Sequence, residues 1–281
     1  MRLPEKTAAH RLPTIFLPHG GGPCFFMDWT LGPADTWKKL ETWLRGLPSA
    51  VATTPSAILV VSAHWEAEVI TLTGATAPEL IYDYNGFPEH TYRLQYDVPG
   101  DPALAARIQK RLLEAGIESR SDATRGLDHG VFVPLLVAYP EARIPVVELS
   151  LRADLDPAHH VRVGEALAPL RDEGVLLVGS GMSYHAMRGF GTAEGAKAAS
   201  AFDAWLREAL DAESAPRSAA LRSWSRAPGA RSAHPREEHL MPLMVVAGAG
   251  SRDRGRCVFS DEIMGVTISA FAFGETAGSR G

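Results

Sequence analysis

Residues 144–185 read IPVVELSLRADLDPAHHVRVGEALAPLRDEGVLLVGSGMSYH, and this stretch decides the fold class. Ile144–Leu149 and Val175–Gly179 are short runs rich in β-branched and apolar residues, and Val175–Gly179 is apolar throughout rather than alternating, the pattern of a strand covered on both faces. Between them Asp156-Pro157 reads as the N-cap and first residue of a helix. Val163, Leu167 and Leu170 form its inward stripe, and Gly174 stops it. A strand, a helix and a second buried strand make a unit whose strands run parallel.

The same grammar extends both ways. Thr14–Leu17, Ala57–Ser62 and Val69–Thr73 read as further strands, and Val266 to Phe273 as one more, antiparallel at an edge. Asp101-Pro102 repeats the capping signal ahead of Leu104, Ile108 and Leu112, with Gly116 as the stop. Trp37, Leu40, Trp43, Leu44 and Leu47 form another helical stripe, and Phe202, Trp205, Leu206 and Leu210 a fourth. Asp211 to Ser232 is polar and reads as a loop. The expectation is an α/β fold over residues 1–281: one domain with a central, mostly parallel or mixed sheet flanked by helices.

A hydrophobic share of 46% and a charged share of 22% are ordinary for a globular protein, and a net charge of -5 gives no reason to expect nucleic acid or an anionic membrane as partner. The one basic cluster, Arg252 to Arg256, is interrupted by Asp253 and Gly255 and reads as a solvated loop. Cys24 and Cys257 cannot make a disulfide framework and suit a reducing compartment. No run approaches the roughly 20 apolar residues of a membrane span. The expected location is cytoplasmic.

Chemistry concentrates in the histidines, ten in all. His19, His64 and His185 each follow a predicted buried strand, in PHGGGP, SAHW and GSGMSYH, and the ends of such strands are where ligands bind in open α/β sheets. His129 in GLDHG and His239 in HPREEHLMPL, at the start of a predicted helix with Pro235 as its first residue, reach the same crevice from loops. Neutral imidazole suits iron, zinc, manganese and copper, and is also the natural general base near neutral pH. A histidine after a strand is as readily a capping residue, and no HExxH or CxxC pairing makes the metal case locally. The glycines of PHGGGP lack the context of a phosphate loop and are better read as letting backbone approach a ligand. Of the rest, His10 reads as a mobile terminal residue, His159 and His160 as surface groups, His90 as near a pocket, and His234 as a cap or rim residue.

Taken in order, PHGGGP (18–23), ILVVSAHWE (58–66), YDYNGFPEHTYRLQYDVPG (82–100), RGLDHGVFVPL (125–135), IPVVELSL (144–151), GSGMSYH (179–185) and HPREEHLMPLMVVAGAG (234–250) resemble the 4,5-DOPA extradiol dioxygenase-like family, class III extradiol ring-cleavage enzymes of the protocatechuate 4,5-dioxygenase type. The resemblance covers nearly the whole chain. It implies ring opening of a catechol, DOPA-like or otherwise para-substituted, with O2. It places His19, His64 and His239 on the metal at the C-terminal ends of strands, His239 standing where the protocatechuate enzymes carry a Glu. The implied catalytic metal is Fe(II), with Zn(II) a metal such proteins also hold. His185 matches the family's catalytic base and is an alternative fourth ligand; His129 matches a proton-donating or supporting histidine. The implied pocket includes Tyr82, His90, Tyr184, Ala186 and His234, with Phe25, Trp65, Tyr92 and Tyr96 as further apolar walls. Tyr82 stands where relatives often have His, Ala186 where Asn is common, and Gly21 where many have Ser, changes that touch the pocket rather than the ligands. A zinc hydrolase using the same histidines, and a non-catalytic interaction protein of the same fold, are the competing readings.

Overall fold

The computed structural model describes residues 11–276. Their order is β1 (Thr14–Pro18), α1 (Lys38–Val51), β2 (Ala57–Ala67), β3 (Ile70–Thr73), α2 (Pro102–Glu114), β4 (Ser119–Asp122), α3 (His129–Ala138), β5 (Val146–Arg152), α4 (Pro157–Leu167), β6 (Val175–Gly181), α5 (Ala193–Asp211), α6 (Ser214–Arg222), α7 (Ala230–Ala233), α8 (Met241–Ala249), β7 (Gly255–Ile263) and β8 (Val266–Phe273). All strands share one sheet in the order β4-β3-β5-β2-β6-β1-β8-β7. The central strands β5, β2, β6 and β1 are parallel, while β3 on one side and β8 and β7 on the other join antiparallel. The sheet is therefore mixed with a parallel centre, as the apolar strand runs require.

Ile58–Val61 of β2 and Val175–Val178 of β6 are almost entirely removed from water, because helices cover both faces. Each such side chain contributes about 1.5–3 kcal/mol of transfer free energy. The capping signals hold: Asp101 accepts from Leu104 N at 2.8 Å, and Asp156 from Ala158 N and His159 N at 3.1 and 3.2 Å.

Several sequence expectations are corrected. Asp211 to Ser232 is not a loop but contains α6, a short 3-10 turn and most of α7. Its polar composition hides Arg217, buried to 2% exposure. That guanidinium donates to the carbonyls of Leu210, Gly250, Ser251 and Asp253, tying the end of α5 to the turn that follows α8. The helix after His239 begins at Met241 with Pro242 in its first turn, so Pro235 belongs to the preceding turns. α3 after His129 and α8 are apolar on every side and, except for partly exposed Leu136, buried, which left no helical period to read. The basic cluster reaches into β7, an edge strand beginning at Gly255.

His159 and His160 are buried rather than superficial. Arg152 N–H donates to His160 Nε2, His160 Nδ1–H donates to the Asp156 carbonyl, and Arg152 Nη1 donates to His159 Nδ1, so the two rings fasten α4 to the end of β5. His10 lies outside the described residues. Among the described residues, no helix is long and apolar enough to cross a membrane.

Buried neutral imidazoles make stability fall in acid. Burial holds His234, fully enclosed, at about 4 against an ordinary 6.5. The unfolded chain takes up this proton near pH 6.5 and the folded chain only near 4, so the contribution is intact above 6.5 and lost as pH falls towards 4. Its size is about 3 kcal/mol for this ring alone. Thermal melts from pH 7.5 to 4.5 are expected to show a steep decline that flattens in His234→Phe. Equal slopes in the two proteins would remove His234 as the source.

Candidate metal centre

Each histidine singled out by sequence is delivered by a specific local feature. His19 follows β1 directly, and its N–H extends the β1–β6 ladder to the Gly181 carbonyl at 3.2 Å. His64 lies inside β2, which runs on to Ala67, but the β2–β5 register shifts between Val61 and Glu66. This bulge re-aims the histidine, and Ser62 Oγ fixes it by accepting from His64 N–H at 3.2 Å while donating to Asp128 at 2.7 Å. His129 is the first residue of α3, its N–H held by Asp83 at 3.0 Å. His185, past the end of β6, is pinned by its N–H to the Ala233 carbonyl at 2.9 Å. His239 precedes α8, and its carbonyl accepts from Met182 N–H at 3.0 Å. That approach needs Gly181, where a Cβ would stand 2.2 Å from the His239 carbonyl oxygen.

The rings of His19, His64 and His239 lie with centroids 4.9 to 5.2 Å apart. His129 packs 4.0 Å from His64, and His185 stacks on His239 at 3.3 Å. Hydrogen bonding orders the nitrogens. His19 Nδ1–H donates to the Gly20 carbonyl at 3.0 Å, His239 Nδ1–H to Glu238 at 2.9 Å, and His64 Nδ1 lies 3.5 Å from Asp83. With Nδ1 so engaged, each ring turns Nε2 inward as an acceptor. The Nε2 atoms of His19 and His64 are 3.3 Å apart, and His239 Nε2 is buried with no hydrogen-bond partner. Acceptor nitrogens gathered this closely fit a cation between them. Ligand atoms of His19, His64 and His239 all fall within 4.8 Å of one another, as a metal site requires.

Electrostatics favour the same occupant. Burial, reinforced by the neighbouring imidazoles, holds His19 and His239 far below the usual histidine value and His64 at about 4, so these rings are neutral at pH 7, the form that can bind a metal ion. Burial alone raises the Asp83 carboxyl, but hydrogen bonds from His129 outweigh it and hold the group at about 2. Glu238 is likewise kept well below its ordinary value, burial being overcome by hydrogen bonds from His185 and His239. These carboxylates escaped the sequence reading as site members. Asp83 grips His129 Nδ1 at 2.8 Å, and Glu238 accepts from His185 Nδ1 at 3.2 Å as well as from His239. Carboxylate–histidine pairs of this kind fix tautomer and ring orientation. The only sequence signals were Asp83 inside YDYNGFP and Glu238 beside His239.

A cavity of about 240 Å³ opens from these rings. Its lining includes His19, His64, His129, His185 and His239, the Gly20–Gly22 loop, and Trp29, Leu31, Trp37, Phe87, Met182, Met187, Phe190 and Met264. The side chains expected as pocket members are placed elsewhere. Tyr82 turns its hydroxyl to the Leu94 carbonyl at 2.6 Å and packs on Phe132. His90 is exposed and bonds the Phe26 carbonyl. Tyr184 is buried against Phe190, behind that wall, and Ala186 does not reach the lining. His234 is fully buried between Phe202 and Trp224, with Nε2–H on the Ser183 carbonyl. Phe25, Trp65, Tyr92 and Tyr96 are also absent from the lining; Tyr96 is buried with its hydroxyl on the Tyr139 carbonyl.

Known proteins resemble this chain over most of its length. A family model described as the catalytic LigB subunit of aromatic ring-opening dioxygenase matches residues 13–272. A 4,5-DOPA dioxygenase extradiol of Beta vulgaris is 42% identical, covering 85% of this chain and 87% of its own. Dioxygenase tasH of Hapsidospora irregularis is 36% identical, with 93% and 85% covered. The 4,5-DOPA dioxygenase extradiol of Escherichia coli K12 is 34% identical over 85% of both chains. Among solved structures, the uncharacterized protein JW3007 from Escherichia coli K12 superposes with a TM-score of 0.71 at 29% identity, covering 94% of this chain and all of that one. Sequence and fold together place the chain in the LigB family of aromatic ring-opening dioxygenases.

Proposed function

We propose that the protein is an extradiol dioxygenase that opens a para-substituted catechol with O2, using Fe(II) held by His19, His64 and His239. The observation that carries this is the meeting of inward-facing Nε2 atoms at one end of a cavity that also holds two carboxylate-anchored imidazoles, His185 and His129. Fe(II) there would supply a Lewis acid for the two catechol oxygens and the redox flexibility that lets O2 react with the ring.

The chain's own groups do the rest. His185 donates Nδ1–H to Glu238, which leaves Nε2 free to take a proton from a substrate hydroxyl. His129 hands its Nδ1–H to Asp83, and the ionised carboxylate beside it is the partner a proton-donating imidazole needs as the ring opens. Three neutral ligands bring no negative charge of their own, so the centre accepts a catecholate well. The apolar lining offers water few partners beside the reacting groups, which strengthens the interactions among them once a substrate fills the cavity.

The test is to load the protein with Fe(II) anaerobically and admit O2 in the presence of a panel of catechols. Oxygen uptake and a visible-absorbing semialdehyde product are expected. Both should vanish with a ferrous chelator and return with Fe(II) but not Zn(II). No oxygen uptake with any catechol, together with ester or amide hydrolysis by the zinc form, would replace this reading with a hydrolase.

A further inference from the structure

We propose that the substituent this site accepts on its catechol is uncharged and apolar, an alkyl or aryl chain rather than an amino-acid or carboxylate chain; the proposal deepens the extradiol reading and rests on it. Beyond the histidines and the glycine loop, the cavity wall is made of tryptophan, phenylalanine, leucine and methionine. Among the described residues no Lys, Arg, Asp or Glu lines it. A charged substituent would lose hydration there without gaining a partner. Of the nearby arginines, Arg236 is forked on Glu66, with both contacts at 2.6 Å, Arg125 sits on Asp128 and over the Trp65 ring, and exposed Arg188, beside Met187, lies outside the lining.

The mouth carries a second, independent sign. Leu31 and Met187 are 69% and 68% exposed, and among the described residues they are two of only three large hydrophobic side chains so open to water. Both flank this cavity, whereas the third, Leu113, lies on α2. Apolar side chains held open at the rim of a site mark contact with an apolar ligand. At about 240 Å³ the cavity is below the roughly 300–1,000 Å³ of typical ligand pockets. A catechol ring on the metal centre therefore leaves its para substituent lying along the apolar wall towards Leu31 and Met187, so that a charge on the chain would sit inside that wall rather than in open water.

The apolar wall is built into the loop that carries His19. Trp29 stands edge-on to Trp37 at 5.5 Å and donates Nε1–H to the Leu31 carbonyl at 3.1 Å. A Cβ at Gly21 would lie 3.3 Å from Trp29 and 3.2 Å from Trp37, and one at Gly22 only 2.8 Å from Phe87. Missing side chains at 21 and 22 thus let three aromatic rings close on the loop.

Binding is measured on the Fe(II) protein kept anaerobic, so that no turnover intervenes, by calorimetry and by quenching of tryptophan fluorescence. The probes are 4-ethyl-, 4-butyl- and 4-hexylcatechol, 3,4-dihydroxyphenylacetate and DOPA. Kd is expected to fall roughly two- to fourfold per added methylene. The two charged catechols should bind about tenfold or more weakly than 4-butylcatechol. Met187→Arg alters an exposed side chain and is expected to reverse part of this ranking, weakening 4-butylcatechol and tightening dihydroxyphenylacetate. Arg188→Ala, next to it but outside the lining, should leave the ranking unchanged. Equal or tighter binding of either charged catechol, no response to Met187→Arg, or collapse of binding in Arg188→Ala would each overturn the proposal. Preferential binding of alkylcatechols without oxygen uptake on aeration would instead uphold the apolar pocket and sink the dioxygenase reading alone.

Discussion

His239→Ala is expected to leave the protein without bound metal and without activity. His239 is 4% exposed, its Nδ1–H is engaged by Glu238, and its Nε2 has no protein partner. Removing it deletes one of three inward nitrogens and leaves only the His19–His64 pair. Glu238→Gln makes the sharp comparison. Glu238 Oε1 serves both His185 and His239, and Oε2 faces Arg236, so its substitution loosens two rings without removing a ligand. Loss of such a supporting carboxylate typically weakens metal affinity about 10- to 100-fold. Metal content after dialysis against a weak chelator, with circular dichroism to verify folding, separates the cases. Full metal occupancy in His239→Ala with loss in Glu238→Ala would make the carboxylate the third ligand.

What could be read from sequence followed from chemistry that is local along the chain. Apolar β-branched runs gave the parallel centre of the sheet, and Asp-Pro caps gave α2 and α4. Histidines after strands lie together because parallel strands deliver their C-terminal ends to one edge, a consequence of topology rather than of any one motif. What could not be read depends on tertiary pairing. Nothing in YDYNGFP distinguishes Asp83, which grips His129, from an exposed turn acid; its role appears only once the isolated bridge Leu80–Leu127 brings the two segments alongside. Tyr82 and Tyr184 looked like pocket walls because an aromatic ring near a motif packs equally well behind a site as into it. The actual wall comes from Trp29, Leu31, Met187, Phe190 and Met264, in segments with no periodic or catalytic signal. His159 and His160 looked superficial because helical first turns usually face water; Arg152 reverses that by giving both rings a buried partner.

His185→Gln is expected to keep its metal and still bind catechol while turnover falls about 10²- to 10⁴-fold, the usual share of general acid–base catalysis. The argument begins from position. His185 stands past the end of β6 rather than on it, its side chain is 26% exposed, and it lines the cavity beside His239 instead of closing the His19–His64 pair. Its Nδ1–H is spent on Glu238, so Nε2 is the free, cavity-facing base. Glutamine retains an N–H that can donate to Glu238 and roughly the same volume, so Glu238 stays engaged and His239 stays oriented; only the proton acceptor is lost. Anaerobic addition of catechol to the iron-loaded variant should still perturb the metal spectrum, with KM little changed and kcat carrying the loss. Metal depletion equal to that of His19→Ala would instead make His185 a resident ligand. Turnover equal to the parent enzyme would pass the base to another group, and His129, 4.0 Å from His64 on the other side of the centre, is the one placed to receive it.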